Sequence, residues 1–227
     1  MMSDNVTKSP KLDYHKQLLK GLNLMRSTGV RPRLLLHVCC APCASYPLQL
    51  LAKYFDVDIL YFNPNIYPKS EFTKRYEELE RYVRAIYRTK KELAQHIKII
   101  PDHEVLYDQT HQEFSKIIGP FGDEREGGVR CSKCFEFRLK HAMRIADILK
   151  YEYVITTITA GSNKNSFVVN EIGMKINNAE FPHLTYLASD FKKDGGDIKT
   201  KEICDEHKIY RQHYCGCIFS LKPTLKA

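Results

Sequence analysis

The chain has 227 residues, 43% of them apolar, which is enough for a sizeable core without disulfide staples. No stretch approaches the roughly 20 apolar residues of a membrane span, and the opening residues lack the apolar centre of a signal peptide, so we expect a cytoplasmic protein without membrane contact. Thirty-five Lys and Arg against 27 Asp and Glu leave a net charge of +8, which permits a polyanionic partner such as nucleic acid.

Residues 1–30 read as an N-terminal helical extension, with Leu12, His15, Leu18, Leu19, Leu22 and Met25 at helical spacing before the break at Ser27-Thr28-Gly29. Residues 31–227 read as a single α/β domain. Arg33 to Cys39 is a buried strand, and Pro42 and Cys43 open a helix that runs to about Tyr54. Asp56 to Phe62 is a second strand, followed by the rigid loop Asn63-Pro64-Asn65-Ile66-Tyr67-Pro68 and a charged helix from about Ser70 to Arg88. Its Arg75, Arg81, Arg84 and Arg88 are interleaved with Glu77, Glu78 and Glu80, the pattern of a solvated, salt-bridged face, with phosphate contact as the alternative. His96 to Ile100 is a third strand and Glu104 to Ile118 a helix. A Gly-rich loop leads to a helix that carries Cys131 and Cys134 at its start. Tyr153 to Thr157 is a β-branched strand, Ser162 to Asn177 a helix, Leu184 to Ala188 a last strand and Lys199 to His207 a last helix. Strands alternating with helices specify an α/β fold, a Rossmann-like parallel sheet with helices on both faces.

Seven of the eight cysteines fall into three tight groups: Cys39/Cys40/Cys43 at a strand-to-helix turn, Cys131/Cys134 at a helix start and Cys215/Cys217 near the end. In a reducing compartment, paired cysteines serve metal or redox chemistry rather than structural disulfides. Seven thiols exceed the needs of one tetrahedral zinc, which points to an iron–sulfur cluster, a second metal, or a redox-active pair beside a cluster. Cys204, alone in a helical pattern, reads as core. Neither a G-x-G-x-x-G fingerprint nor a Walker lysine motif is present. The first strand-to-helix turn holds Cys-Cys-Ala-Pro-Cys where a nucleotide-binding relative would carry a phosphate loop.

His37-Val38-Cys39-Cys40-Ala41-Pro42-Cys43, Phe62-Asn63-Pro64-Asn65-Ile66, Arg130-Cys131-Ser132-Lys133-Cys134 with Phe135 to Leu139, Asp190-Phe191-Lys192, and Tyr210-Arg211-Gln212-His213-Tyr214-Cys215-Gly216-Cys217 occur in colinear order. In these motifs the chain resembles the QueH-type epoxyqueuosine reductases over about residues 33–220. The resemblance implies cobalamin-independent reduction of the epoxide of epoxyqueuosine to the cyclopentene of queuosine at the tRNA wobble base. It also implies a fold of the adenine nucleotide α-hydrolase (HUP) type, a 4Fe-4S cluster with an additional mononuclear iron nearby, and a one-electron donor protein. Ala160-Gly161-Ser162-Asn163-Lys164-Asn165 departs from the Ser-Pro-x-x-Lys segment expected of that family.

Epoxide removal needs a general acid, for which Asp190, Tyr214 and His37 are the candidates, Asp190 first. Cys39, Cys43, Cys131 and Cys134 are expected to ligate the cluster, leaving Cys40, Cys215 and Cys217 for a second iron, or Cys215/Cys217 as a redox-active dithiol. Asn63, Asn65, Tyr67, Ser162, Lys164, Arg211 and Gln212 are expected to face the substrate, a base splayed from the anticodon loop. The rival readings are a zinc-stabilised nucleic-acid-binding module without catalysis, a thiol–disulfide oxidoreductase, and a sulfur-transferring tRNA enzyme, which would need a phosphate loop.

Overall fold

The computed structural model describes residues 12–221. Five parallel strands, β1 (Arg33–His37), β2 (Asp56–Leu60), β3 (Ile97–Ile99), β4 (Tyr153–Thr156) and β5 (Thr185–Tyr186), form one sheet in the order β3-β2-β1-β4-β5. The Rossmann-like expectation holds. β1 lies between β2 and β4, with Leu36 opposite Ile59 on one side and Ile155 on the other. Its three leucines are wholly buried because both sheet faces are covered. Leu34 and Leu36 join the core on one face, and Leu35 joins Phe62, Phe135 and Val154 on the other.

Eight α-helices are described: α1 (Tyr14–Thr28), α2 (Ala41–Leu51), α3 (Lys69–Thr89), α4 (Lys91–Ala94), α5 (His103–Ile118), α6 (Val129–Ile148), α7 (Ser166–Glu180) and α8 (Gly196–Glu206). Asp13 caps α1 by accepting from the amides of His15 and Lys16, and Gly29 ends it at φ 68°. Leu18 and Leu22 of α1 sit in the same core as α2 and α3. Residues 1–11 of the expected N-terminal extension lie outside the described residues.

The chain moves outward from β1 through β2 to β3, then crosses back to β4 on the other side of β1. That reversal opens a crevice beyond the C-terminal ends of β1 and β4, where open α/β sheets bind ligands. Two segments depart from their sequence expectations near this crevice. α7 begins at Ser166, not Ser162, because the Asn165 side chain accepts from the amides of Phe167 and Val168 and starts the helix there. Ser162 to Lys164 are thereby left as a loop. α8 begins at Gly196, whose hypothetical Cβ would meet the Phe191 carbonyl oxygen at 2.1 Å, so only glycine fits.

Candidate metal and active site

The site is built at the crevice. The turn after β1 presents Cys39, and its amide donates to Thr157 Oγ1 (3.1 Å) just beyond β4, which ties the two central strands together at their tips. Cys40 caps α2, its sulfur accepting from the Cys43 amide at 3.4 Å. The sulfurs of Cys39, Cys40 and Cys43 lie within 4.8 Å of one another. Hydrogen bonds from Cys40 and Cys43 hold the Cys39 thiol well below its ordinary pKa, with Arg138 and Thr157 adding to the effect. Burial pushes Cys40 up, and the hydrogen bond given to Cys39 does the same for Cys43.

A cavity of about 700 Å³ opens over this triad. Its walls include Tyr214, Gln212, Cys215, Ser162, Asn163 and Lys164. A smaller chamber of about 30 Å³ is lined by Cys131, Cys134, Cys215 and Cys217, with Asn65, Arg130 and Arg138 among its other walls. Cys215, Arg138 and Lys164 face both spaces. All eight cysteines are free thiols, and burial raises Cys134 to about 12. The seven clustered thiols line two neighbouring spaces, with Cys215 on both. Cys39 and Cys43 stand with Cys40, while Cys131 and Cys134 stand with the C-terminal pair.

Soft thiolates suit iron, zinc and iron–sulfur groups, and among the described residues Cys39, Cys40 and Cys43 stand close enough together to hold a metal ion. The buried Oδ1 of Asn65 and Oε1 of Gln212, which have no partner among the described residues, sit on residues lining these spaces.

Of the three acid candidates, Tyr214 lines the large cavity. Its hydroxyl donates to the Tyr67 carbonyl, and burial followed by the nearby Glu71 charge raises its pKa. Asp190 lines a different cavity of about 260 Å³ beside α1 and α7. Burial works to raise its pKa, but hydrogen bonds from Ser166 and Lys192 overcome this and keep it ionised. His37 is fully buried, with Nδ1 at 2.8 Å from Thr156 Oγ1 and Nε2 at 3.0 Å from the Phe62 carbonyl. Burial, with Arg138 adding, lowers its pKa to about 3, so it is a neutral support beneath the site.

Among the expected substrate residues, Lys164 pairs with Glu126 at 2.8 Å, and Gln212 donates to Cys40 Sγ at 3.0 Å. Tyr67 is exposed and stacks on His111 (centroids 6.5 Å apart). Asn63 is buried and structural, donating to the Val38 carbonyl and accepting from Arg138. Arg211 is exposed and does not line either thiol-bearing space.

Two residues that line the large cavity lacked an assigned role in the sequence: Arg138 and Glu126. Arg75 departs from the expected solvated face. It is 2% exposed, ion-paired to Glu71 (2.7 Å), and donates to the carbonyls of Tyr214 (3.1 Å) and Cys215 (3.3 Å). Farther along the helix, Arg81 donates to the carbonyls of His207 and Lys208, and Glu78 accepts from the Tyr210 amide. One side of α3 is thus a clamp on the cysteine-bearing tail, whereas the Arg84–Glu80 pair keeps the solvated character expected of it.

Gly216, between the two C-terminal cysteines, has φ 105°, and an added Cβ would meet Ile66 at 2.9 Å and Arg75 Nη1 at 3.2 Å. A side chain there is strained whatever space it finds. Gly216→Ala is expected to displace Cys215 and Cys217 and lower iron bound per chain by at least half. Metal analysis after reconstitution checks this, and unchanged occupancy would refute the tight-turn account.

A family model described as "Epoxyqueuosine reductase QueH" matches residues 34–223. The chain is 38% identical over 215 residues to the epoxyqueuosine reductase QueH of Staphylococcus epidermidis, covering 94% of this chain and 86% of that one. The QueH of Staphylococcus aureus is 37% identical over 94% of this chain and 85% of its own length, and that of Streptococcus pyogenes 31% identical over 96% and 82%. No helix among the described residues is long and apolar enough to cross a membrane.

Proposed function

The chain belongs to the epoxyqueuosine reductase QueH family, and from this we infer that it reduces epoxyqueuosine in the anticodon loop of tRNA to queuosine, using iron–sulfur chemistry. The observation that carries the reading is the convergence of seven free thiols at the crevice of the sheet, beside a cavity of about 700 Å³. A space of that size is within the range of small-molecule sites and accommodates one modified base taken out of its stack.

Loss of the epoxide oxygen as water takes two electrons and two protons. A bound 4Fe-4S cluster would supply electrons singly from a one-electron donor protein, with Cys131, Cys134, Cys215 and Cys217 as its holders and Cys39, Cys40 and Cys43 left for an additional iron. The chain itself must hold the base, exclude water and deliver protons. Tyr214 Oη supplies one of the two protons from the cavity wall, because its raised pKa keeps it protonated at neutral pH, and solvent supplies the other. Lys164 also stays charged. Burial opposes this, but Cys215 and Glu126 more than offset it, so its ammonium can balance negative charge developing on the departing oxygen. Gln212 lines the cavity, and its Oε1, without a partner among the described residues, is an acceptor for a substrate hydroxyl. Asn63 and His37 act from beneath by holding Arg138 and the strand tips.

Purification without oxygen, followed by iron and sulfide analysis and a turnover assay, tests the reading. We expect a brown protein with a broad band near about 400 nm that converts epoxyqueuosine in tRNA to queuosine once reduced. Tyr214→Phe is expected to lower kcat about 10²–10⁴-fold with KM little changed, the usual worth of a general acid. A colourless zinc protein without turnover would overturn the assignment, and full activity in Tyr214→Phe would overturn the role of that phenol.

A further inference from the structure

Two side chains at the thiol chamber remain without a role, Arg130 and Arg138. They stand roughly two turns apart on α6, are 4% and 5% exposed, and both line the chamber with Cys131, Cys134, Cys215 and Cys217. A buried guanidinium ordinarily meets a carboxylate, because uncompensated charge in the interior is costly. Arg75, close by, follows that rule with Glu71. Among the described residues, Arg130 and Arg138 do not. Arg130 donates to the carbonyls of Phe121 and Gly122. Arg138 donates to Asn63 Oδ1 at 2.6 Å and comes within 3.5 Å of Nε2 of the neutral His37.

Every one of these partners is uncharged. In both arginines, moreover, the Nε–H is buried and has no acceptor among the described residues, sulfur included. The chamber therefore joins four thiols to two cations, and two unused donors sit on the residues that carry those charges. A group that satisfies all of them carries net negative charge and offers sulfur acceptors.

We propose that Arg130 and Arg138 are positioning residues for the iron–sulfur cluster, offsetting its charge and hydrogen-bonding its sulfur through Nε–H, and that they thereby raise its reduction potential. The inference rests on the cluster reading above. Its physical basis is general: nearby positive charge and N–H···S hydrogen bonds stabilise the reduced, more negative state of such a cluster. Arg138 also faces the large cavity, so its charge acts on the Cys39 side as well.

The test is a potentiometric titration, read by electron paramagnetic resonance, of the full chain reconstituted anaerobically with ferrous iron and sulfide. Arg130→Met, Arg138→Met and Arg138→Lys are compared with the wild type. Both Met variants are expected to hold iron and sulfide while their midpoint potentials move to more negative values. Arg138→Lys, which keeps the charge and loses the planar donor, is expected to fall between. Midpoints equal to the wild type in both Met variants overturn the proposal, whatever happens to turnover. Should the Met variants fail to fold, Arg138→Lys decides by the same criterion. A wild-type chain that takes up no iron and sulfide would remove the cluster reading and this inference together. A loaded cluster with an unmoved midpoint removes the inference alone.

Discussion

Cys215→Ser is expected to abolish turnover, a loss beyond about 100-fold, while the chain stays folded. Cys215 lines both spaces, so its thiol adjoins the four-thiol chamber and the large cavity at once. Its only hydrogen bond among the described residues is to Ser220 Oγ at 3.1 Å, a contact that serine can keep. Serine is close to isosteric, but its hydroxyl stays protonated at neutral pH and is a poor partner for a soft metal. Loss of an outer partner of a metal ligand already costs about 10–100-fold in affinity or activity, so loss of a ligand costs more. Two companions give the result its meaning. Cys134→Ser lies outside the C-terminal pair, so it should fail equally if the thiols act by holding metal. It should remain active if Cys215 and Cys217 act as a free dithiol. Cys204→Ser should keep its iron and activity, since Cys204 is buried against Ser45 and lines neither thiol-bearing space. Iron, sulfide and queuosine formation measured on the three proteins decide the matter, and full turnover in Cys215→Ser would sink the metal-site assignment.

What the sequence made legible here is what short-range pattern encodes. Leu34-Leu35-Leu36 followed by a cysteine-bearing turn and Pro42 reads directly as strand, crevice and helix, and the sheet confirms it. The convergence of the cysteines was legible because thiols in tight groups have few other uses in a reducing compartment. Their grouping was not, because it depends on how α6 and the C-terminal tail lie against β1, and spacing carries no information on that. The same limit applied to arginine. Arg75 and Arg84 occur in similar Glu-rich surroundings along α3, yet one is 2% exposed beneath the tail and the other pairs with Glu80 near solvent. Helical position separates them, but only the docked tail says which side is covered. α7 starts later than expected for a local reason: Ser162 and Asn165 are both competent caps, and the structure uses Asn165.

Arg75→Met is expected to destabilise the protein by about 3–5 kcal/mol, the cost of breaking a buried ion pair from one side. The methionine fills much of the same volume, so the loss is electrostatic and polar rather than a packing defect. It leaves Glu71, itself only partly exposed, with the Tyr210 hydroxyl at 3.4 Å as its remaining polar contact, and it frees the carbonyls of Tyr214 and Cys215. Stacking on the Tyr214 ring, 5.0 Å from the guanidinium, is lost as well. A typical domain has about 5–15 kcal/mol in total, so the change should be plain in urea unfolding. The damage should also be uneven. Arg75 touches the tail from Tyr214 to Gly216, whereas the sheet core of Leu34, Leu36 and Ile59 packs without it. Hydrogen exchange should therefore rise first at Tyr210 to Ser220, and iron binding should weaken before the sheet opens. Glu71→Gln gives the complementary case: it removes the charge of the pair but leaves an amide able to accept from Arg75, and it should cost less. Uniform exchange across the sheet and tail in Arg75→Met, with iron binding unaffected, would show that the arginine serves general stability and not the clamp on Cys215 and Cys217.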